Sequence, residues 1–490
     1  MNLTADIHHL LHQIGTGRIL TTAYDTAWLA RLGEMNSAVT TQALEWLRAH
    51  QLPDGSWGTI SPHYNHDRLV CTLAAMTALA QYGDTQDATR LWRAEQVLDS
   101  ITNGLKTDAV GETIGFEMIV PTLVYEAKSL GLLQRYRNGI LHRLEEYRAA
   151  KLAALPGGMI SRFVTVAFSA EMAGPDGQRL LDLENLQEAN GSVAHSPSAT
   201  AYYAINVCPG EPRALAYLSN VVNTQGGVPD VAPFDVFEQA WTLWNLSLTG
   251  PLDADTLALC QPHLDFLQQA WRPGQGTGFA AGYTPTDGDD TGLVFDVLTR
   301  FGRPVDLEGV LRYEQDDHYR CYELEANPSI SANIHVLSAL REAGLPVDHP
   351  SVQKALRFLK QVQHQDGFWF DKWHASPYYP TSHLIIAGAG YAEHLVESGV
   401  AWLLETQRFD GSWGYYMPTA EETADCLQAL VMWRRQGHPV PNDAIQRGAD
   451  WLAVHAEPPY PPLWIGKCLY CPELVVRSAI LSALTLVAQG

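Results

Sequence analysis

One unit recurs three times in this chain, and it fixes what the chain can fold into. An aromatic residue is followed at constant offsets by Gln, then by Asp-Gly-x-Trp. The copies are Trp46, Gln51 and Asp54-Gly55-Ser56-Trp57; Phe358, Gln363 and Asp366-Gly367-Phe368-Trp369; and Trp402, Gln407 and Asp410-Gly411-Ser412-Trp413. Leucines at helical spacing precede each Gln, such as Leu44 with Leu47 and Leu356 with Leu359. Each copy therefore reads as an amphipathic helix that ends in a tight Asp-Gly turn, with the Trp folding back. The Gln amide is placed to bond the backbone of the next turn and tie neighbouring helices together. Long strand-like alternation is scarce, and Gly and Pro fall at helix-to-helix links such as Pro53 to Gly58 and Gly226 to Pro229. These features predict an all-α fold of paired helices in toroids or barrels. One early copy and two late ones predict two α-helical barrels. A scaffold repeat gives fold and leaves function open.

Composition narrows the function classes. A chain of 490 residues, 46% of them apolar, has material for two or three domains. Its net charge of −22 excludes nucleic acid and anionic membranes as partners, since both need a basic face. Fourteen Trp exceed ordinary packing needs, and aromatic walls suit apolar or cationic ligands. Residues 1–10 lack a basic stretch followed by an apolar run, and the apolar segment from Leu69 to Ala80 is too short for a membrane span. Of the seven Cys, only Cys468 and Cys471 have metal-type spacing, so reduced, buried thiols and a cytoplasmic location are expected. A homodimer stays open.

The densest cluster of chemistry is Asp287-Gly288-Asp289-Asp290-Thr291. Gly274, Gly276, Gly278 and Pro285 make a loop before it, and Leu293, Val294, Val297 and Leu298 follow with helical spacing. The aspartates thus sit at a helix N-terminus, with Asp287 or Thr286 able to cap. Three carboxyls packed in a dry site cannot all ionise, so at least one keeps its proton. Asp289, flanked by Asp287 and Asp290, is the candidate general acid. The residues alone leave open a plain capping cluster or a surface loop.

The cluster resembles the D-x-D-D motif of class II terpene cyclases, and the threefold repeat resembles their QW motif. Thr22-Ala23-Tyr24-Asp25-Thr26-Ala27-Trp28 resembles the S-A-Y-D-T-A-W signature of class II diterpene cyclases. Gly115-Phe116-Glu117, Ser196-Pro197-Ser198-Ala199-Thr200-Ala201 and Asp371-Lys372-Trp373-His374 follow in family order. The resemblance extends from about residue 15 to the end and is closest to the bacterial halimadienyl-type and kolavenyl-type diphosphate synthases. That group tends to D-x-D-T-T, whereas this chain keeps Asp290. The resemblance implies a βγ didomain architecture, with residues 33–240 as the inserted γ domain and residues 1–32 plus 241–490 as the β domain. It implies protonation of an alkene of geranylgeranyl diphosphate, closure of two rings and retention of the diphosphate. No D-D-x-x-D cluster for diphosphate ionisation is present: Asp316-Asp317 is followed by His318, Tyr319 and Arg320.

The same resemblance assigns roles by position. Asn333 and His335 lie where family members hold the acid's hydrogen-bonding partner. Lys372 matches a diphosphate-binding position, with Arg68 and Lys467 as weaker candidates. Mg²⁺ is implied, with Asp108, Glu112 and Glu117 as local carboxylates. Trp241, Trp244, Phe279, Tyr283, Trp373 and Tyr379 are expected wall residues for a carbocation. Copalyl-type enzymes hold a terminating water with a His and an Asn, and the matching positions here are Phe168 and Asp230. A phenyl ring cannot hold that water, so a longer-lived cation and a rearranged halimadane or clerodane skeleton are expected in preference to an unrearranged labdane. A squalene-type cyclase, a protein prenyltransferase β subunit and a non-catalytic α-toroid binding protein are the competing readings.

Overall fold

The computed structural model describes residues 2–134, 140–325 and 327–490. It is helical almost throughout, as the repeat predicts. Among the described residues the strands are two short antiparallel pairs, Thr21–Thr22 with Val228–Pro229 and Trp464–Ile465 with Leu469–Tyr470.

Six helices form a closed inner ring: Asp235–Ser247, Gly288–Arg300, Ile330–Glu342, Tyr378–Gly388, Ala420–Arg435 and Glu473–Ala488, the last packing back on the first. Their burial explains their composition. Every residue of Tyr378–Gly388 is buried, as expected for a helix covered on all faces. The outer helices bury one stripe each. In Pro350–Gln361 that stripe is Ser351, Val352, Ala355, Leu356, Phe358 and Leu359. The chain's first helix, Leu3–Gln13, joins this outer layer against Ala254–Ala270 and Glu473–Ala488.

A smaller second ring is built from Ala23–Ala30, Asn65–Tyr82, Phe116–Ser129, the 3₁₀ segment Thr165–Asp176 and Pro197–Tyr202, which returns to Ala23–Ala30. This corrects the expected division at residue 32. All eight residues of Ala23–Ala30 are buried, and their neighbours are Ser37–Ala49, Asn65–Tyr82 and Pro197–Tyr202, so this helix belongs inside the second ring. The crossing between rings lies instead near the strand pair that joins Thr21–Thr22 to Val228–Pro229.

The repeat does the tying expected of it. Trp57, Trp369 and Trp413 donate their indole N–H to the carbonyls of Leu47, Leu359 and Leu403, each at 2.7 Å, satisfying carbonyls that the helix ends leave open. Gln51, Gln363 and Gln407 each donate to their own turn's glycine carbonyl at 2.9 Å. Each also reaches the next outer helix, at Arg90, Ser398 and Ala444. The turn needs Gly55, Gly367 and Gly411 at φ near +100°, a conformation that suits glycine. A fourth copy was hidden by sequence: Gln187 bonds the Gly191 carbonyl and Glu211, while Val193 stands where the others have Trp.

Candidate active site

The three aspartates open the inner helix Gly288–Arg300, and the structure gives them different tasks. Asp287 is the N-cap, accepting the backbone N–H of Asp289 and of Asp290. Burial, with the Asp289 charge beside it, pushes the Asp287 carboxyl up to about 7. Burial also drives Asp290 well above the usual carboxylate range, reinforced by the charges of Asp287 and Asp289. Neither has room to act on a ligand, since Asp287 is 0% and Asp290 6% exposed. Asp289 alone of the three keeps an open edge, with its side chain 14% exposed.

Two donors from the facing helix Ile330–Glu342 hold that carboxyl. His335 Nδ1 lies 2.6 Å from Oδ1, and the Ser331 hydroxyl donates to Oδ2 at 3.0 Å. Ser331 and His335 are four residues apart and so share one helical face, a spacing legible in the sequence. Donors on both oxygens stabilise the carboxylate left after proton loss.

Asn333 does not join them, correcting its expected role. It points to the opposite side, where its amide donates to the carbonyls of Tyr319 and Ser329 and its oxygen accepts the Tyr319 N–H. Lys372 is also displaced from its expected role. Its ammonium is held by Glu325 and the Asn327 carbonyl, both at 2.6 Å. Its neighbour Trp373 donates to Ser329, which adjoins Ser331, so Lys372 belongs to the acid end of the site. Arg68 is committed to Asp54, Ser56 and the Thr59 carbonyl.

Aromatic rings surround the acid pair. Trp241 meets His335 edge-on with centroids 5.4 Å apart and donates its N–H to the Tyr379 hydroxyl at 2.9 Å. Phe237 stacks on Trp241 at 3.9 Å, and Phe234 stacks on Phe237 at 4.2 Å. Tyr283 packs on Phe279 at 4.2 Å, and Phe279 joins Phe234 at 5.5 Å. These rings run from the acid towards the junction of the two barrels. Trp244 instead lies behind, stacked on His383.

At the junction sits a buried cation. Lys467, 0% exposed, donates to Glu171, Ser196 and Ser198 at 2.6–2.7 Å. All three ammonium protons are used, so Lys467 is not free to bind a ligand. Its ammonium lies 4.6 Å from the centroid of the Phe168 ring, and its backbone N–H donates to Asp230 at 3.0 Å. Phe168 and Asp230 are thus brought together around one lysine. Asp230, expected beside the substrate at the position of the terminating-water Asn, is instead 1% exposed and turned towards Asp25. Burial raises Asp25 to about 6, and burial with the Asp25 charge raises Asp230 well above its usual range. Glu171, which also accepts the Tyr24 hydroxyl, had no local signal in the sequence.

Two residues of the expected acidic patch, Asp108 and Glu112, line a cavity of about 620 Å³ with His66, Lys106 and Arg143, while Glu117 is not in its lining. The three carboxylates are not equivalent. Although burial pushes Asp108 up, donors from His66 and Asn65 hold it below its usual range, and both its oxygens are occupied. Glu117 pairs with Lys151 at 2.6 Å. Glu112 makes no hydrogen bond or ion pair among the described residues; desolvation and the Glu117 charge raise its carboxyl.

Comparison with known proteins follows the same lines. Residues 16–107 match the squalene-hopene cyclase N-terminal domain and residues 322–422 the C-terminal domain. The chain is 46% identical to the type B diterpene cyclase of Mycobacterium tuberculosis, over 97% of each chain. It is 31% identical to the labda-7,13-dienyl diphosphate synthase of Streptomyces clavuligerus, covering 96% of this chain and 89% of that one. The ent-copalyl diphosphate synthase of Streptomyces platensis superposes with a TM-score of 0.78 at 29% identity, over 99% of both chains.

Proposed function

The chain belongs to the class II diterpene cyclases, and from that premise we propose that it cyclises geranylgeranyl diphosphate to a rearranged bicyclic diterpenyl diphosphate of halimadane or clerodane type. The observation that carries this reading is Asp289, the open carboxyl of the triad, gripped by His335 and Ser331 against an aromatic wall.

The Asp289 O–H gives its proton to the less substituted carbon of the terminal alkene, the double bond farthest from the diphosphate. The adjacent carbon becomes a cation, and two carbon–carbon bonds close in succession. Rings such as Trp241, Phe237 and Phe279 attract the moving charge without bonding to it. Apolar packing keeps water from trapping it early. The diphosphate stays attached throughout.

The ending depends on Phe168. Its ring offers no imidazole to hold a water, and a buried ammonium lies against it. The cation formed by the second closure then undergoes hydride and methyl shifts before a carbon-bound proton is lost. Incubation with geranylgeranyl diphosphate, phosphatase treatment and product identification by mass spectrometry and NMR test this directly. The expected product is a rearranged bicyclic alcohol, with squalene left unconverted; a copalyl skeleton would refute the shift. Phe168→His is expected to divert a measurable share of product to less rearranged skeletons.

The diphosphate is read into the 620 Å³ cavity, where Lys106 and Arg143 supply positive charge. Mutual repulsion between Glu112 and Glu117 fits a divalent cation there, and Mg²⁺ is commonly held by one or two carboxylates plus substrate phosphates. Bound Mg²⁺ would neutralise the diphosphate and fix its position. Glu112→Gln is expected to raise the Mg²⁺ concentration for half-maximal rate about tenfold, measured by titration at saturating substrate. An unchanged titration would remove Glu112 from this role.

A further inference from the structure

Each turnover strips Asp289 of its proton, and the carboxyl must be reloaded without admitting water to the face where cations form. We infer that His335 and His383 are a proton relay that reloads Asp289 from Asp425. This rests on the reading of Asp289 as the acid.

The relay crosses three consecutive inner helices. His335 Nδ1 contacts Asp289 at 2.6 Å, and His335 Nε2 contacts His383 Nδ1 at 3.1 Å. Both rings are buried, at 1% and 4% exposure. His383 is fixed in plane between Trp244, 4.4 Å away, and Tyr379, 4.2 Å away. With Nδ1 engaged, its remaining nitrogen serves a small cavity that His383 lines together with Glu421 and Asp425. That cavity, of about 10 Å³, has room for one water. Asp425 Oδ2 and Glu421 Oε2 are buried and make no hydrogen bond among the described residues, which suits them to hold such a water.

Burial sets what the outer members of the chain carry at rest. Burial, then the charges of Glu421 and Glu422, hold Asp425 far above the usual carboxylate range, so it carries a proton. Burial and the neighbouring histidines hold His383 far below the usual imidazole range, so it is neutral and carries one N–H. The transfer balances. Asp425 gives its proton through the cavity water to His383 Nε2. The His383 Nδ1 proton passes to His335 Nε2, and the His335 Nδ1 proton passes to Asp289. Asp425 is left ionised and Asp289 neutral. The transfer leaves each ring as its other tautomer; the proton lost at the end of cyclisation, taken at His335 Nδ1 and passed back along the same atoms to Asp425, restores both rings and closes the cycle.

A role in reloading, as opposed to packing, shows in the difference between first and later turnovers. Asp425→Asn keeps shape and neutrality but has no acidic proton. With enzyme in excess over geranylgeranyl diphosphate, rapid-quench measurement is expected to give a single-turnover rate within about twofold of the native enzyme. Under steady-state conditions kcat is expected to fall about tenfold or more and to gain a larger solvent deuterium isotope effect. His383→Gln, which breaks the wire at another helix, should show the same split if Asp425→Asn fails to fold. An unchanged kcat, or an equal fall in both regimes, would overturn the relay. Failure of the native enzyme to complete a first turnover would instead overturn the assignment of substrate.

Discussion

Asp289→Asn is expected to lower turnover at least about 10³-fold while leaving circular dichroism and the melting transition unchanged. General acids typically contribute 10²–10⁴-fold, and an unactivated alkene offers no easier route to protonation. The amide keeps the size and the contacts to His335 and Ser331 and loses only the acidic proton. Asp287 and Asp290 cannot replace it, because one caps the helix and both are closed off by burial. Retention of more than about a tenth of native activity would remove Asp289 from the acid step. A matched loss of structure would mean that the substitution had removed a fold contact instead.

The second large effect concerns stability. Lys467→Met is expected to destabilise the protein by about 3–5 kcal/mol, read from the midpoint of urea unfolding. The substitution leaves Glu171 charged, 1% exposed and without its cation, and it also strips donors from Ser196 and Ser198. The contact joins the hairpin at Trp464–Tyr470 of the large ring to the small ring, so junction order should fail first. The double variant with Glu171→Gln is expected to recover part of the loss, since the orphaned charge is then gone. A midpoint shift near zero for Lys467→Met would show that the buried pair adds nothing over an apolar side chain.

The fold was legible because its signal is local and repeated. Gln, Asp-Gly and Trp at fixed offsets specify a helix stop, a turn and a return contact within a dozen residues. The copy at Gln187 escaped notice because Val193 replaces the Trp, leaving only the glutamine-to-glycine bond to mark it. The acid triad was legible for the same reason: capping and crowding depend on neighbours in sequence. The cations were not. Lys372, Arg68 and Lys467 each look available in one dimension, and each is consumed by a partner reached through folding. Likewise Asn333 and His335 were equal candidates until the helix turned one away from Asp289 and the other towards it.

The sequence by itself determined the paired-helix scaffold, the position of the three aspartates at a helix start and the substitution of Phe168 for a hydrogen-bonding residue, because each depends on residue type and short spacing. Only the tertiary structure decided which aspartate faces open space, that Ala23–Ala30 belongs to the small ring, and that His383 and Asp425 stand behind the acid. Those facts depend on which helix faces meet, and packing between segments up to hundreds of residues apart fixes that choice.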